Sequence, residues 1–335
     1  MKYLPSLNRE QKAKVLKAHL RLSKKSGLLP SSFYVHNIVH IERVIETPSV
    51  DIYRGDHLGR AVCLKKYRLC AGGLDRDHIS ELLHREAIIW ANHRFVGVLQ
   101  FIGVYQRDDG PFDRGLYLVS PFLEHGTINQ YLSLTPHANR CLLMKDVIEA
   151  LVYLHDNSIV HGDIKGANIL VQPSGRACVA DLGFSRIRNA TTMLTWTTIQ
   201  SVASVGTLPW QAPEVLQAQC SSVPFTPTPA GDMYSLGCLV YEVFTNNPPF
   251  ANIQPGAAAV WRVYHIINEV VIHNRRPVRP DPLAEAYSVC SLTDEIWVVM
   301  ERCWVRDPSL RPSATQVNCM SPFRGIEDRR PTHDG

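Results

Sequence analysis

The stretch Val160-His161-Gly162-Asp163-Ile164-Lys165-Gly166-Ala167-Asn168-Ile169-Leu170-Val171 sets an acid, an ammonium and a carboxamide within six residues of one another. It lies between an amphipathic helical pattern and a short apolar run, the setting of a catalytic loop. Asp181-Leu182-Gly183 follows, and then Gly206-Thr207-Leu208-Pro209-Trp210-Gln211-Ala212-Pro213-Glu214. Phosphoryl transfer asks for little covalent work from a protein. It needs a base near the attacking hydroxyl, cations over the phosphates, and ligands that hold those cations. The sequence contains a residue type for each task.

Several elements must position these groups. Residues 41–45, 51–54 and 61–67 have β-type patterns separated by Pro48, Gly55 and Gly59, which predicts three antiparallel strands. Residues 77–93 form a helical pattern with Ile79, Leu82, Leu83 and Trp90 on one face. Glu86 lies on that same face, and a carboxylate buried there is costly unless it meets a cation. Lys65, in Val62-Cys63-Leu64-Lys65, is the candidate partner. Alternation puts Cys63 and Lys65 on one strand face and Lys66 on the other; by itself Lys65 would read as a surface lysine.

Residues 116–123, Leu-Tyr-Leu-Val-Ser-Pro-Phe-Leu, read as an apolar strand running into the turn Glu124-His125-Gly126. Residues 140–159 predict the helix that delivers the chain to the catalytic loop, and 232–244 and 257–273 predict two further helices, the first of them buried. Residues 221–231 and 275–283 are proline-rich surface loops, and no internal repeat is present. Near the N-terminus, residues 9–26 predict a basic helix with Asn8 as N-cap, Gln11 completing a capping box and Gly27 as the stop. It reads either as a solvated helix packed on or leading into the main domain, or as a membrane-surface helix. The charged stretch 321–335 is expected to be disordered.

Taken in order, these motifs resemble the eukaryotic protein kinase family, nearest to its tyrosine-kinase-like group, over roughly residues 39–316. Cys303-Trp304, Arg306-Asp307-Pro308 and Arg311-Pro312 extend the match. The resemblance implies an α+β, bilobal protein kinase fold: a small antiparallel sheet plus one helix in an N-lobe of about residues 39–122, and a mostly helical C-lobe of about 126–319. Residues 1–38 are then a basic helix and linker, and 320–335 an irregular tail. ATP and Mg²⁺ are the implied cofactors. Asp163 would position and deprotonate the acceptor hydroxyl, Lys165 neutralise the γ-phosphate, Asn168 and Asp181 hold the metal, and Lys65, paired with Glu86, anchor the α/β-phosphates. Ser120, Pro121 and Leu123 would form the adenine-binding hinge, with Ile52, Cys63 and Leu170 lining the nucleotide site; proline is tolerable at 121 because only its carbonyl is needed. Thr207 is expected to touch Asp163 and Lys165, and Arg311 to pair with Glu214. Lys165, two residues after the aspartate, is the arrangement of serine/threonine-specific members.

Three departures qualify the match. The loop that should be Gly-x-Gly-x-x-Gly is Ile45-Glu46-Thr47-Pro48-Ser49-Val50, which has no glycine. Side chains there obstruct close backbone approach to phosphate and Pro48 lacks an N–H, so weak ATP binding is expected. Gly162 replaces the arginine that commonly receives an activation-loop phosphate, so phosphorylation of Thr191, Thr192, Thr195, Thr197, Thr198, Ser201 or Ser204 need not be required for activity. Leu182 replaces a phenylalanine, a mild change that keeps an apolar side chain, which the resemblance implies would contact His161 and Trp90. Two rival readings follow: a pseudokinase scaffold, from the missing glycines, and a small-molecule kinase, from His161-Gly162-Asp163 with Asn168. Ala212-Pro213-Glu214 and Trp210 oppose the second.

Composition agrees with a large globular chain. At 335 residues, it has core enough for two lobes. A net charge of +4 is too weak to argue for nucleic acid. The nine cysteines are scattered singly, without zinc-ligand spacing. No secretory leader or membrane-spanning run is seen, so a cytoplasmic, intracellular chain is expected, with protein substrates as its partners.

Overall fold

The computed structural model describes residues 8–47, 50–68, 76–108, 114–187, 207–221, 225–253 and 259–331. Helix α1 (Arg9–Ser26) opens with the expected reciprocal cap: Asn8 Oδ1 accepts from the Gln11 N–H at 2.9 Å and Gln11 Oε1 from the Asn8 N–H at 3.0 Å. Gly27, left-handed at φ 66°, ends it. Next come β1 (Tyr34–Val35), β2 (Ile38–Glu46), β3 (Val50–His57), β4 (Arg60–Tyr67), α2 (Arg76–Ala91), β5 (Gly103–Asp108) and β6 (Arg114–Pro121).

These strands form a six-stranded sheet in the order β1-β5-β6-β4-β3-β2. The three expected strands pair antiparallel, with Ile52 opposite Lys65 and Cys63 opposite Ser120. The sheet is not wholly antiparallel: β1 runs parallel to β5, Tyr34 facing Val104. Among the described residues before 39, Tyr34–Val35 and Ile38 are thus strand residues of this sheet. Leu16, Leu29 and Phe33 are buried in the same core as Leu83, Ile88 and Trp90, and Lys24 reaches Glu81 on α2 at 2.7 Å. Of the two readings of α1, packing on the domain is the one observed. Apolar area withdrawn from water seats the helix, and its lysines line the outer surface.

The chain enters the larger lobe through α3 (Ile128–Leu134), capped by Thr127 and Gln130, and α4 (Arg140–Asp156). Short strands β7 (Ile159–Val160), β8 (Ile169–Val171), β9 (Ala177–Val179) and β10 (Arg186–Ile187) form two hairpin-like pairs, β7 with β10 and β8 with β9. Helices α5 (Pro213–Cys220), α6 (Pro229–Thr245), α7 (Ala259–Ile267), α8 (Asp294–Cys303) and α9 (Ala314–Asn318) complete it, with a one-turn helix at Glu285–Ser288. Helix α6 is nearly all apolar, and Tyr234, Leu236, Cys238, Leu239 and Phe244 are fully buried. The helix expected over 257–273 is α7 followed by a single π-type turn, Asn268–Ile272.

The C-terminal stretch departs from expectation. Residues 321–331 fold back on α4 instead of remaining disordered: Phe323 is fully buried, and Arg330 donates to both Asp146 oxygens, at 2.9 and 3.0 Å. Arg176 donates to the carbonyls of Pro331 and Arg330, so a charged sequence is held by charges far away in the chain. Residues 332–335 lie outside the described residues.

Candidate active site

The strand register brings Lys65 to the cleft side of the small lobe, and α2 presents Glu86 to it. Lys65 Nζ donates to Glu86 Oε1 at 3.1 Å and to Asp181 Oδ1 at 2.7 Å. Glu86 is buried and Lys65 nearly so. Burial pushes the Glu86 carboxyl above its usual range, against the pull of Lys65. Burial acts on Asp181 in the same direction, but Lys65 outweighs it, so that carboxyl sits below its ordinary value. Asp181 is thus held ionised at neutral pH, and Lys65 is a firm cation.

The loop that carries Asp163 is held from beneath. The backbone N–H groups of His161 and Gly162 both donate to Asp232 at 2.8 Å, and His155 Nε2 lies 2.8 Å from the same carboxylate. Gly162 has φ 81°, a conformation that favours glycine, which fits its presence where the family has arginine. Asn168 Nδ2 donates to the Asp163 carbonyl and to Asp163 Oδ2, each at 2.8 Å. The carboxamide is thereby oriented with its oxygen left as a ligand atom. Lys165 Nζ lies 2.9 Å from Asp163 Oδ2 and donates to Thr207 Oγ1 at 2.6 Å. Thr207 therefore meets Lys165 as expected, and Lys165 in turn meets Asp163. Asp163 Oδ1 is buried with no hydrogen-bond partner, an acceptor awaiting a donor.

The two halves are tied through the backbone. The Ala180 N–H donates to the Asn168 carbonyl at 2.8 Å and His161 Nε2 lies 3.0 Å from the Ala180 carbonyl, so the residue before Asp181 is fixed to the loop carrying Asp163. Asp181 itself has φ 63° and accepts from the Gly183 N–H at 3.2 Å. Leu182 is buried in the core that contains Trp90. Among the described residues, no cluster of three His, Cys, Asp or Glu side chains could cage a metal alone. Asp181 and Asn168 do supply hard oxygen donors, the type suited to a divalent cation that takes its other ligands from phosphate and water.

At the hinge, Ser120 is buried opposite Cys63, and burial pushes the Cys63 thiol up to about 11. The Phe122 N–H donates to the Ala61 carbonyl at 3.0 Å, and the Leu123 carbonyl accepts from Gly126 at 3.0 Å. Leu170 stands on β8, opposite Cys178. In the glycine-free hairpin, the Thr47 N–H and hydroxyl both donate to the Val50 carbonyl, at 3.0 and 2.7 Å, and the Val50 N–H returns to Thr47 Oγ1 at 2.9 Å. Those N–H groups are spent within the turn. Pro48, Ser49, Gly206 and the Ser/Thr-rich stretch from Thr191 to Ser204 lie outside the described residues.

Below the loop, Arg311 grips Glu214 with two bonds of 2.7 and 2.8 Å, as the sequence implied. Sequence reasoning missed Asp232 and Glu242. Glu242, on α6, accepts from the Gly166 N–H at 2.9 Å, Trp210 Nε1 at 2.8 Å and Asn129 Nδ2 at 2.7 Å, joining the Asp163 loop to the Pro209-Trp210 turn. The available signal was an acid at each end of an otherwise apolar helix, since a buried carboxylate must be satisfied.

Comparison with known proteins identifies a family and several relatives. The family model described as protein kinase domain matches residues 50–323. Serine/threonine-protein kinase STY46 of Arabidopsis thaliana is 28% identical over 271 residues, covering 80% of this chain and 40% of that protein. The mitogen-activated protein kinase kinase kinase YODA of the same plant is 29% identical over 265 residues, 77% of this chain and 26% of the relative. Cytokinesis protein sepH of Emericella nidulans is 33% identical over 174 residues, 52% and 10% respectively. The chain spans less than half the length of each of these relatives.

Proposed function

Because the chain belongs to the protein kinase domain family, we propose that it is an ATP-dependent protein kinase that transfers the γ-phosphate to serine or threonine of protein substrates in intracellular signalling. The observation that carries this reading is the meeting of Lys65, Glu86 and Asp181 above a loop in which Asp163 keeps one buried oxygen unpartnered. In this reading Lys65, held by Glu86, anchors the α/β-phosphates, and the hinge at Ser120, Pro121 and Leu123 takes the adenine between Ile52, Cys63 and Leu170. Asp163 accepts the proton of the substrate hydroxyl through Oδ1. Lys165 sits within reach of both Asp163 and Thr207, where it can neutralise the transferring phosphoryl group.

A divalent cation, Mg²⁺ by family resemblance, would be held by Asp181 and Asn168; bound there, it would offset phosphate charge. The serine/threonine preference rests on Lys165 two residues after Asp163, and the tyrosine-kinase-like assignment on likeness to relatives such as STY46. No described helix is long and apolar enough to cross a membrane. A cytoplasmic location is part of the proposal.

The hairpin closed by Thr47 and Val50 favours a second reading, a scaffold with little catalysis, because the N–H groups of both residues are bonded to acceptors within the turn rather than left for a phosphate. A thermal-shift titration with ATP and Mg²⁺, followed by transfer to a generic protein substrate and phosphoamino-acid analysis, separates the two. Binding with phosphoserine or phosphothreonine formed supports the enzyme; binding without transfer supports the scaffold; phosphotyrosine alone contradicts the stated specificity.

A further inference from the structure

Tyr67 closes the Lys65 site from behind, and none of the motifs includes it. It ends β4 two residues after Lys65, so the pleat sends both side chains to one face. Its hydroxyl donates to Glu86 Oε2 while Lys65 donates to Glu86 Oε1 at 3.1 Å, which leaves each carboxylate oxygen with its own donor. The phenol ring also lies under the ammonium, with Lys65 Nζ 4.8 Å from its centroid. On the third side stands Gly183. A Cβ there would come within 2.5 Å of Tyr67 Oη and 3.2 Å of Glu86 Oε2, so the phenol fills the space between α2 and the Asp181-Leu182-Gly183 turn.

We propose that Tyr67 is a positioning residue for phosphotransfer: its hydroxyl fixes the Glu86 carboxylate and, through it, the Lys65 ammonium and the seat of α2. The proposal rests on the kinase reading above for its catalytic consequence, but not for its structural one. Burial and then the charge of Glu86 hold the phenol well above its usual range, so the group remains a donor at neutral pH. Without that donor, Glu86 Oε2 is left unsatisfied in a buried site, and Lys65 is drawn toward Asp181, already 2.7 Å away. An ammonium displaced in this way no longer stands where the phosphates need it.

The test uses full-length Tyr67→Phe, which keeps the ring over Lys65 and deletes only the hydroxyl. We expect kcat/KM for ATP to fall about tenfold, a loss on the scale of one hydrogen bond to a charged group, with KM for the protein substrate unchanged. Amide hydrogen exchange across α2 should accelerate while α6 stays as protected as in the wild type. In a Glu86→Gln background the same change should add nothing to either effect, because the two residues act as one unit. Tyr67→Leu, which removes ring and hydroxyl together, is the control for packing. If Tyr67→Phe behaves as wild type and only Tyr67→Leu loses activity and α2 protection, ring packing is all that matters and the proposal is overturned. Additive losses with Glu86→Gln overturn it too. If the wild type transfers no phosphate, the kinase reading fails, yet faster α2 exchange in Tyr67→Phe would still support the positioning role and unchanged exchange would refute it.

Discussion

Replacing Arg330 with methionine tests whether the C-terminal segment is part of the folded domain. The arginine makes a two-pronged pair with Asp146, whose side chain is only 7% exposed, and also donates to the carbonyls of Gly175 and Leu142. Removing one partner of a well-buried pair costs roughly 3–5 kcal/mol. Asp146 keeps Arg176 at 3.3 Å and the Ala177 N–H at 2.9 Å, and water reaches the Arg330 side chain, so the loss falls at or below the bottom of that range. We expect a loss of about 2–3 kcal/mol. The unfolding entropy of a chain this long scales to about 0.7 kcal/mol/K, so Tm should drop by about 3–4 °C. Scanning calorimetry of wild type, Arg330→Met and a chain ending at Phe323 reads this directly, and the two altered proteins should melt close together. A Tm within about 1 °C of wild type for both would refute the docking of residues 324–331.

Arg311→Ala should be costlier, about 3–5 kcal/mol by denaturant unfolding, because its side chain is wholly buried and Glu214 would lose both bonds. His93 supplies the pH dependence. Burial, reinforced by Lys12, lowers its imidazole to about 4, and neither ring nitrogen has a partner. The unfolded chain therefore takes up a proton near pH 6.5 that the folded chain refuses, so this contribution is fully present above pH 6.5 and is lost as pH falls toward 4. It amounts to about 3 kcal/mol, and His93→Phe should flatten the stability profile in that window. ATP affinity, measured by titration calorimetry with Mg²⁺, should be weak because the Thr47 and Val50 N–H groups are used within the hairpin; tight binding would contradict that account.

Local signals carried well. Asn8, Gln11 and Gly27 set the ends of α1 through caps that depend only on neighbouring residues, and strand alternation chose Lys65 over Lys66, which instead lies over the Tyr117 ring. The pairing of Arg311 with Glu214, 97 residues apart, was available only through family resemblance. What escaped was non-local. In the parallel β1–β5 pair, β1 is only two residues long, too short to have a pattern of its own. The tail's charges resembled a disordered composition because their partners, Asp146 and Arg176, lie more than 150 residues earlier. Asp232 and Glu242 were masked by the apolar run of α6, and Tyr67 by an ordinary β propensity that says nothing about where its hydroxyl goes.

The claim at the centre is that Asp163 faces the acceptor hydroxyl of a protein substrate in a site that Lys65 and Asp181 complete. Transfer of labelled γ-phosphate from ATP to serine or threonine, with wild type beside Asp163→Asn, measures it most directly. The carboxamide retains the shape but is too weak a base, so transfer should fall by about a hundredfold or more while the melting temperature holds. Equal transfer by both proteins would contradict the account.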